Sequence, residues 1–178
     1  MKQTTEKNPS QKKFSLKTLL WFAAEFAVLW LMFHYWFFLA AVPTSSMEPN
    51  IPKSSLSIVT YPYGEKQVER GDCVVFWSDE LGERLVKRVV GLPGEEIVID
   101  EAGEVYVDGE RLEEEYVQFQ YGVDRTFSVP EGCYLFFGDN RANSNDARWW
   151  EEPYISGEKL VGKVQIVLWP LSAFAFVG

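Results

Sequence analysis

Pro43-Thr44-Ser45-Ser46-Met47-Glu48-Pro49 stands at the junction that decides the fold. Before it, residues 19–42 are almost wholly apolar; after it, short apolar runs alternate with glycine and proline turns. As a helix, 24 residues rise about 36 Å, enough to cross a hydrocarbon core about 30 Å thick. Residues 19–42 are therefore predicted to be a transmembrane helix. The competing reading is a cleaved signal peptide, because Leu39-Ala40-Ala41 offers small residues. Its apolar core is long for that role, where about 7 to 15 residues is usual.

Working backward from the junction, residues 1–17 carry five lysines against one glutamate. Lysine before a membrane span places the N-terminus on the cytoplasmic side, and everything after Val42 outside. Two polar residues interrupt the span, Glu25 and His34. At about 100° per residue they point to opposite faces, so they cannot pair with each other. A contact to another membrane protein is one reading of each; a neutral or snorkelling side chain is the plainer one.

Working forward, Leu56 to Tyr61 alternates as a strand does, and Cys73 to Phe76 is a second strand after a Gly71-Asp72 turn. Residues 84–90 form a third, closed by Gly91-Leu92-Pro93-Gly94. Its period of two puts Leu85, Lys87 and Val89 on one face and Val86, Arg88 and Val90 on the other. Ile97-Val98-Ile99 and Val105-Tyr106-Val107, followed by Asp108-Gly109, predict a small meander with a tight turn. Its many acids suit a solvated outer face. The apolar stretch 127–137 runs into a polar segment, Gly138-Asp139-Asn140-Arg141 through Arg148, and the chain closes on a long apolar run to Trp169. With no clear helix after residue 42, the body is predicted to be mainly β. The expected organisation is a tail (1–18), a transmembrane helix (19–42), and a compact antiparallel β-sheet domain (43–178) that carries a small β-hairpin cap near 95–130.

Composition narrows function by exclusion. The net charge is −9, and with +4 on residues 1–17 the remainder carries −13. So acidic a body lacks the basic face that phosphate binding needs, which argues against a nucleic-acid partner. Cys73 and Cys133 both sit in strand-like runs and read as buried thiols. His34 is the single histidine, so no Cys/His spacing suggests a metal, and no cofactor is expected.

Ser46, just past a membrane span, is an unusual place for a hydroxyl and reads as a nucleophile. The absence of histidine from the body rules out a Ser-His-Asp triad by inventory. Lysine is the remaining base, provided apolar neighbours desolvate it and lower its pKa. Lys87, flanked by Leu85 and Val89, is the best-placed lysine. From spacing alone, an edge-strand lysine that guards against aggregation is an equally open reading of it.

Three stretches together resemble type I signal peptidase, the bacterial leader peptidase family. They are Ser46-Met47-Glu48-Pro49, then Lys87 through Glu95, then Gly138-Asp139-Asn140-Arg141 with Ser144, Asp146 and Arg148. The resemblance runs from the span to Trp169, and it implies a Ser-Lys dyad serine endopeptidase that removes signal peptides from exported preproteins. Ser46 would be the nucleophile and Lys87 the general base. Thr44 would complete an oxyanion hole with the Ser46 N–H, and Ser144 would orient the Lys87 amine. Arg88, Asp139, Asp146 and Arg148 would be structural charges.

Small residues at the first and third positions before the cut would enter pockets lined by Val42, Pro43, Met47, Ile51, Leu85 and Val86. The substrate would pair as a strand near Lys87. Expected partners are the signal peptides of secreted preproteins and the lipid bilayer, with the secretion translocon a further candidate. Ala142, Ala147 and Glu151 depart from the family pattern, which puts the bracing network in question rather than the Ser46–Lys87 pair. An inactive membrane-tethered peptide-binding domain of the same descent is the alternative. A self-cleaving Ser-Lys regulator would need a DNA-binding region, which the acidic body speaks against. A eukaryotic form would be expected to use histidine as its base.

Overall fold

The computed structural model describes residues 15–61 and 68–177. The chain forms two compact units, residues 1–34 and 35–178. Most of the lysine-rich tail lies outside the described residues.

The first unit holds one helix, α1 (Leu16–Tyr35). Ser15 caps it, its Oγ accepting from the Thr18 N–H at 3.2 Å. None of its residues is buried, and an 18-residue window has a mean hydropathy of 1.6. A helix this apolar, with large apolar side chains around its exposed surface, is suited to lipid rather than to an aqueous surface. Its 20 residues span about 30 Å, long enough to cross a membrane.

The helix ends seven residues earlier than the sequence led us to expect, because residues 37–42 are not helical. They form β1 (Phe37–Val42), which pairs in full with β2 (Ser55–Thr60), from Phe37↔Thr60 to Val42↔Ser55. The ladder satisfies the backbone there, and Phe38, Ala40 and Val42 turn toward the core while Leu39 and Ala41 stay exposed. An unbroken apolar run hides this change, since it suits a buried helix and a strand alike.

The remaining strands are β3 (Cys73–Ser78), β4 (Glu83–Gly91), β5 (Glu96–Ile99), β6 (Val105–Val107), β7 (Glu110–Arg111), β8 (Arg125–Ser128), β9 (Cys133–Phe137), β10 (Tyr154–Ser156), β11 (Leu160–Trp169) and β12 (Ala175–Phe176). One sheet runs β1-β2-β11-β3-β4-β9-β10, with β12 paired to β11. The second runs β7-β6-β5-β8 and occupies the segment anticipated as a cap. All the pairings are antiparallel. Asp108 and Gly109, at φ +49° and +84°, close the β6–β7 hairpin as a two-residue loop with both residues left-handed.

Two apolar clusters fill the body. Phe76, Phe136, Phe137 and Trp150 anchor the larger, which also takes Ile97, Ile99 and Phe127 from the second sheet. Val42, Met47, Ile51, Val59, Cys73, Val75, Val164 and Val167 form the other. Strand β3 sends Val74 and Phe76 into the first cluster and Cys73 and Val75 into the second. It is thus covered on both faces, which fixes β4 beside it. Both cysteines are free thiols; Cys73 is buried, which pushes its pKa up to about 12, and Cys133 is half-buried.

Candidate active site

Ser46 and Lys87 meet although 41 residues separate them. The Lys87 Nζ lies 2.5 Å from the Ser46 Oγ, and both side chains are buried. Lys87 pairs with Val74 in the β3–β4 ladder, and its face neighbours Leu85 and Val89 pack on the larger cluster. Ser46 follows β1 in a turn whose carbonyl oxygens are gripped from outside. The Asn140 N–H donates to the Ser46 carbonyl at 3.0 Å, and the Asn140 side-chain amide donates to the Ser45 carbonyl at 3.2 Å. Asn143 donates to the Ser45 hydroxyl at 2.8 Å.

Burial is the main cause that lowers the Lys87 pKa, from 10.5 to about 8. Asp146 and Asp139 pull it upward and Arg148 pushes it down, but desolvation of the ammonium outweighs them. At pH 7 a pKa of about 8 leaves about a tenth of Lys87 as the free amine, able to accept a proton from the hydroxyl beside it. The Thr44 Oγ1 lies 3.2 Å from the Ser46 Oγ, and the Ser46 backbone N–H donates to no group among the described residues.

Three buried ion pairs surround this centre. Arg88 grips Asp139 with two nitrogens, at 2.8 and 2.6 Å, and Asn50 donates to the same carboxylate at 2.8 Å. Arg148 holds Asp146 at 2.8 and 3.0 Å, and Asp146 also accepts from the Gly138 N–H at 2.9 Å. Arg141 holds Glu114 at 3.0 and 2.6 Å and donates to the Gly138 carbonyl at 3.0 Å. Arg148 also donates to the carbonyls of Tyr121 and Arg141, at 3.0 and 2.8 Å, pinning a 3₁₀ turn, Arg141–Asn143, against the core. Gly138 cannot be larger, because a Cβ there would lie 2.2 Å from the Ser144 Oγ and 2.5 Å from the Ser46 carbonyl oxygen.

Two expectations change in detail. The Ser144 hydroxyl, buried near Ser46, makes no hydrogen bond among the described residues, so it does not hold the Lys87 amine in this structure. Its Cβ and hydroxyl press on Gly138 instead. Of the six expected substrate contacts, Pro43 and Leu85 line a cavity of about 400 Å³ beside Ser46 and Lys87. Met47 and Ile51 are fully buried in the second cluster, Val42 nearly so, and Val86 packs against it. None of these four is among the residues that line the cavity. Apolar residues next to a nucleophile suit a pocket or a core equally well in sequence, and here the core takes them.

Glu114, in the acid-dense stretch read as a solvated face, has a side chain only 4% exposed. Asn50 and Asn140 were also missed as bracing groups, since an amide that holds a carbonyl or a carboxylate has no spacing signature. Ala147 is buried in the larger cluster, so that departure from the family pattern sits in the core and leaves both ion pairs formed.

The family model described as "Signal peptidase, peptidase S26" matches residues 15–169. A "Probable signal peptidase I-2" from Synechocystis is 36% identical over 141 residues, covering 73% of this chain and 62% of that protein, so the chain spans less than two thirds of this relative's length. A "Signal peptidase I" from Leptolyngbya laminosa is 33% identical over 150 residues, covering 77% of this chain and 71% of the relative. A "Signal peptidase IB" from Staphylococcus aureus is 28% identical over 187 residues, covering 93% and 95%. With the match running from the helix through the strand that carries Lys87 to the end of β11, the chain belongs to the signal peptidase family, peptidase S26.

Proposed function

We propose that this protein is a membrane-anchored serine endopeptidase that removes N-terminal signal peptides from exported preproteins by Ser-Lys chemistry. The observation that carries the reading is the 2.5 Å approach of the Lys87 amine to the Ser46 hydroxyl in a buried site. The neutral amine takes the hydroxyl proton as the Ser46 Oγ attacks the scissile carbonyl. The Ser46 N–H and the Thr44 hydroxyl receive the developing oxyanion, a contribution of about 3 kcal/mol for one such donor. The Lys87 ammonium then protonates the departing amine. In the second half Lys87 deprotonates water, which frees the acyl group and regenerates Ser46.

The substrate strand has a place to lie. In β4, residues 83–88 pair with β3, but β9 covers only the other end, from Arg88 to Gly91. The Val89 N–H and C=O both bond toward the Gly71-Asp72 side. By alternation, the Arg84 and Val86 backbone groups face the uncovered edge. A peptide that pairs there by β-augmentation brings its scissile bond to Ser46. Pro43 and Leu85 line the groove for its small side chains. Arg88, Asp139, Asp146 and Arg148 brace the segment that grips Ser46 and do not react.

The anchor is α1, with the lysine-rich terminus cytoplasmic and the β body outside. Signal peptides and the bilayer are then the partners, and the secretion translocon is a further one. The test is cleavage of a peptide with an Ala-x-Ala site by the full chain in detergent. Wild type should cut after the last alanine, while Ser46→Ala and Lys87→Ala should be inactive. A folded wild type that leaves the peptide intact would overturn the catalytic reading.

A further inference from the structure

We infer that Glu83 reads the charge of the substrate residue five positions before the cut. The inference rests on the peptidase reading above and deepens it. Glu83 opens β4 and lines the same cavity as Ser46, Lys87 and Leu85. Residues 83, 85 and 87 of a strand share one face, spaced about 6.6 Å apart. β9 closes the far end of β4, so a substrate strand that reaches Ser46 lies along 83–87. Its side chains then repeat in the same two-residue steps. The residue at −1 sits beside Lys87, that at −3 beside Leu85, and that at −5 beside Glu83, about 13 Å from the base.

Glu83 differs from the other acids around the site. Asp139, Asp146 and Glu114 are each committed to an arginine, and Glu48 accepts from the Lys53 N–H at 3.2 Å. The Glu83 carboxylate is exposed and makes no ion pair or hydrogen bond among the described residues. Lys53 lines the same cavity from the segment after Ser46, and its ammonium forms no ion pair with Glu83. An uncommitted acid on the wall of a peptide groove attracts a cation and repels an anion. One partly screened pair of this kind is worth about two- to five-fold in affinity.

The experiment uses the full chain in detergent and three peptides with an Ala-x-Ala site, identical save for Lys, Ala or Glu at −5. Competition between peptides gives the ratio of kcat/KM directly. The protonation of Lys87, on which Glu83 also acts through space, enters every peptide alike and cancels. Wild type should prefer Lys over Glu by about 4- to 25-fold, each charge adding its own two- to five-fold. Glu83→Gln should bring the ratio near one, and Glu83→Lys should invert it. About 0.5 M salt should shrink the wild-type preference. A ratio unchanged in Glu83→Lys overturns the inference. Binding of labelled peptides to Ser46→Ala, followed by fluorescence anisotropy, reads the same ratio without turnover. If wild type leaves the Ala peptide uncut, the peptidase reading is what fails, and the binding ratio still decides the role of Glu83.

Discussion

Replacing Lys87 by methionine tests the electrostatic state of the site. In the folded chain its pKa is depressed from 10.5 to about 8 by burial. The unfolded chain therefore binds more protons between those values, and the folded state is penalised most below pH 8. At about 1.4 kcal/mol per pH unit, the interval corresponds to about 3 kcal/mol at pH 7. Stability should rise as pH climbs from 8 to 10.5, where the penalty disappears. Methionine removes the charge at similar volume but loses the hydrogen bond to Ser46, worth about 1 kcal/mol. Lys87→Met should therefore be inactive yet more stable than wild type by about 2 kcal/mol at pH 7, with the advantage gone by about pH 10.5. Denaturant midpoints in detergent, taken at pH 7, 9 and 10.5, measure this. The matching kinetic readout is the acid limb of kcat/KM, which should bend at about pH 8 and lose about tenfold per pH unit below it. A variant less stable than wild type at pH 7, or an acid limb that bends near pH 6, would refute the desolvated lysine.

Thr44→Val removes the hydroxyl 3.2 Å from the Ser46 Oγ and should lower kcat by about 100- to 1,000-fold with little change in KM. Steady-state kinetics on one peptide decides it, since a purely structural threonine would shift stability instead. Asp139→Asn leaves the Arg88 charge buried without its partner and should destabilise the body by about 3 to 5 kcal/mol. The fall should be visible as a lower denaturant midpoint, whereas Glu113→Gln, at an exposed pair with Arg111, should change it by under about 1 kcal/mol.

Where periodicity carried information, the sequence was readable. Lys87 alternates with Leu85 and Val89 on one face, and in β4 it is buried there beside them. Asp108-Gly109 is one of the few pairs that a two-residue hairpin with both residues left-handed favours, and the turn is there. The absence of a body histidine left lysine as base, and the fold brings the expected lysine to Ser46. Where every residue is apolar the period vanishes, and that is why β1 was read as helix. Ladder partners 18 residues downstream, in β2, decide its conformation. Met47 and Ile51 have a pocket's chemistry in sequence, and only packing shows that both are buried in the second cluster. Glu114 shows the converse limit, since its burial depends on Arg141, 27 residues away.

The arginines bear on the charge state that Lys87 can hold. Two carboxylates, Asp139 and Asp146, act on it through space and pull its pKa upward. Each is bound bidentately by an arginine, whose fork matches a carboxylate better than a lysine can. Arg148 adds its own repulsion to the ammonium. Lys87 is left as a buried cation with no ion pair among the described residues and with Ser46 as its short contact. The polar segment 138–148 therefore does two jobs with one set of bonds. It grips the Ser45 and Ser46 carbonyls through Asn140, and together with Arg88 of β4 it keeps both acids paired while desolvation outweighs them at the amine.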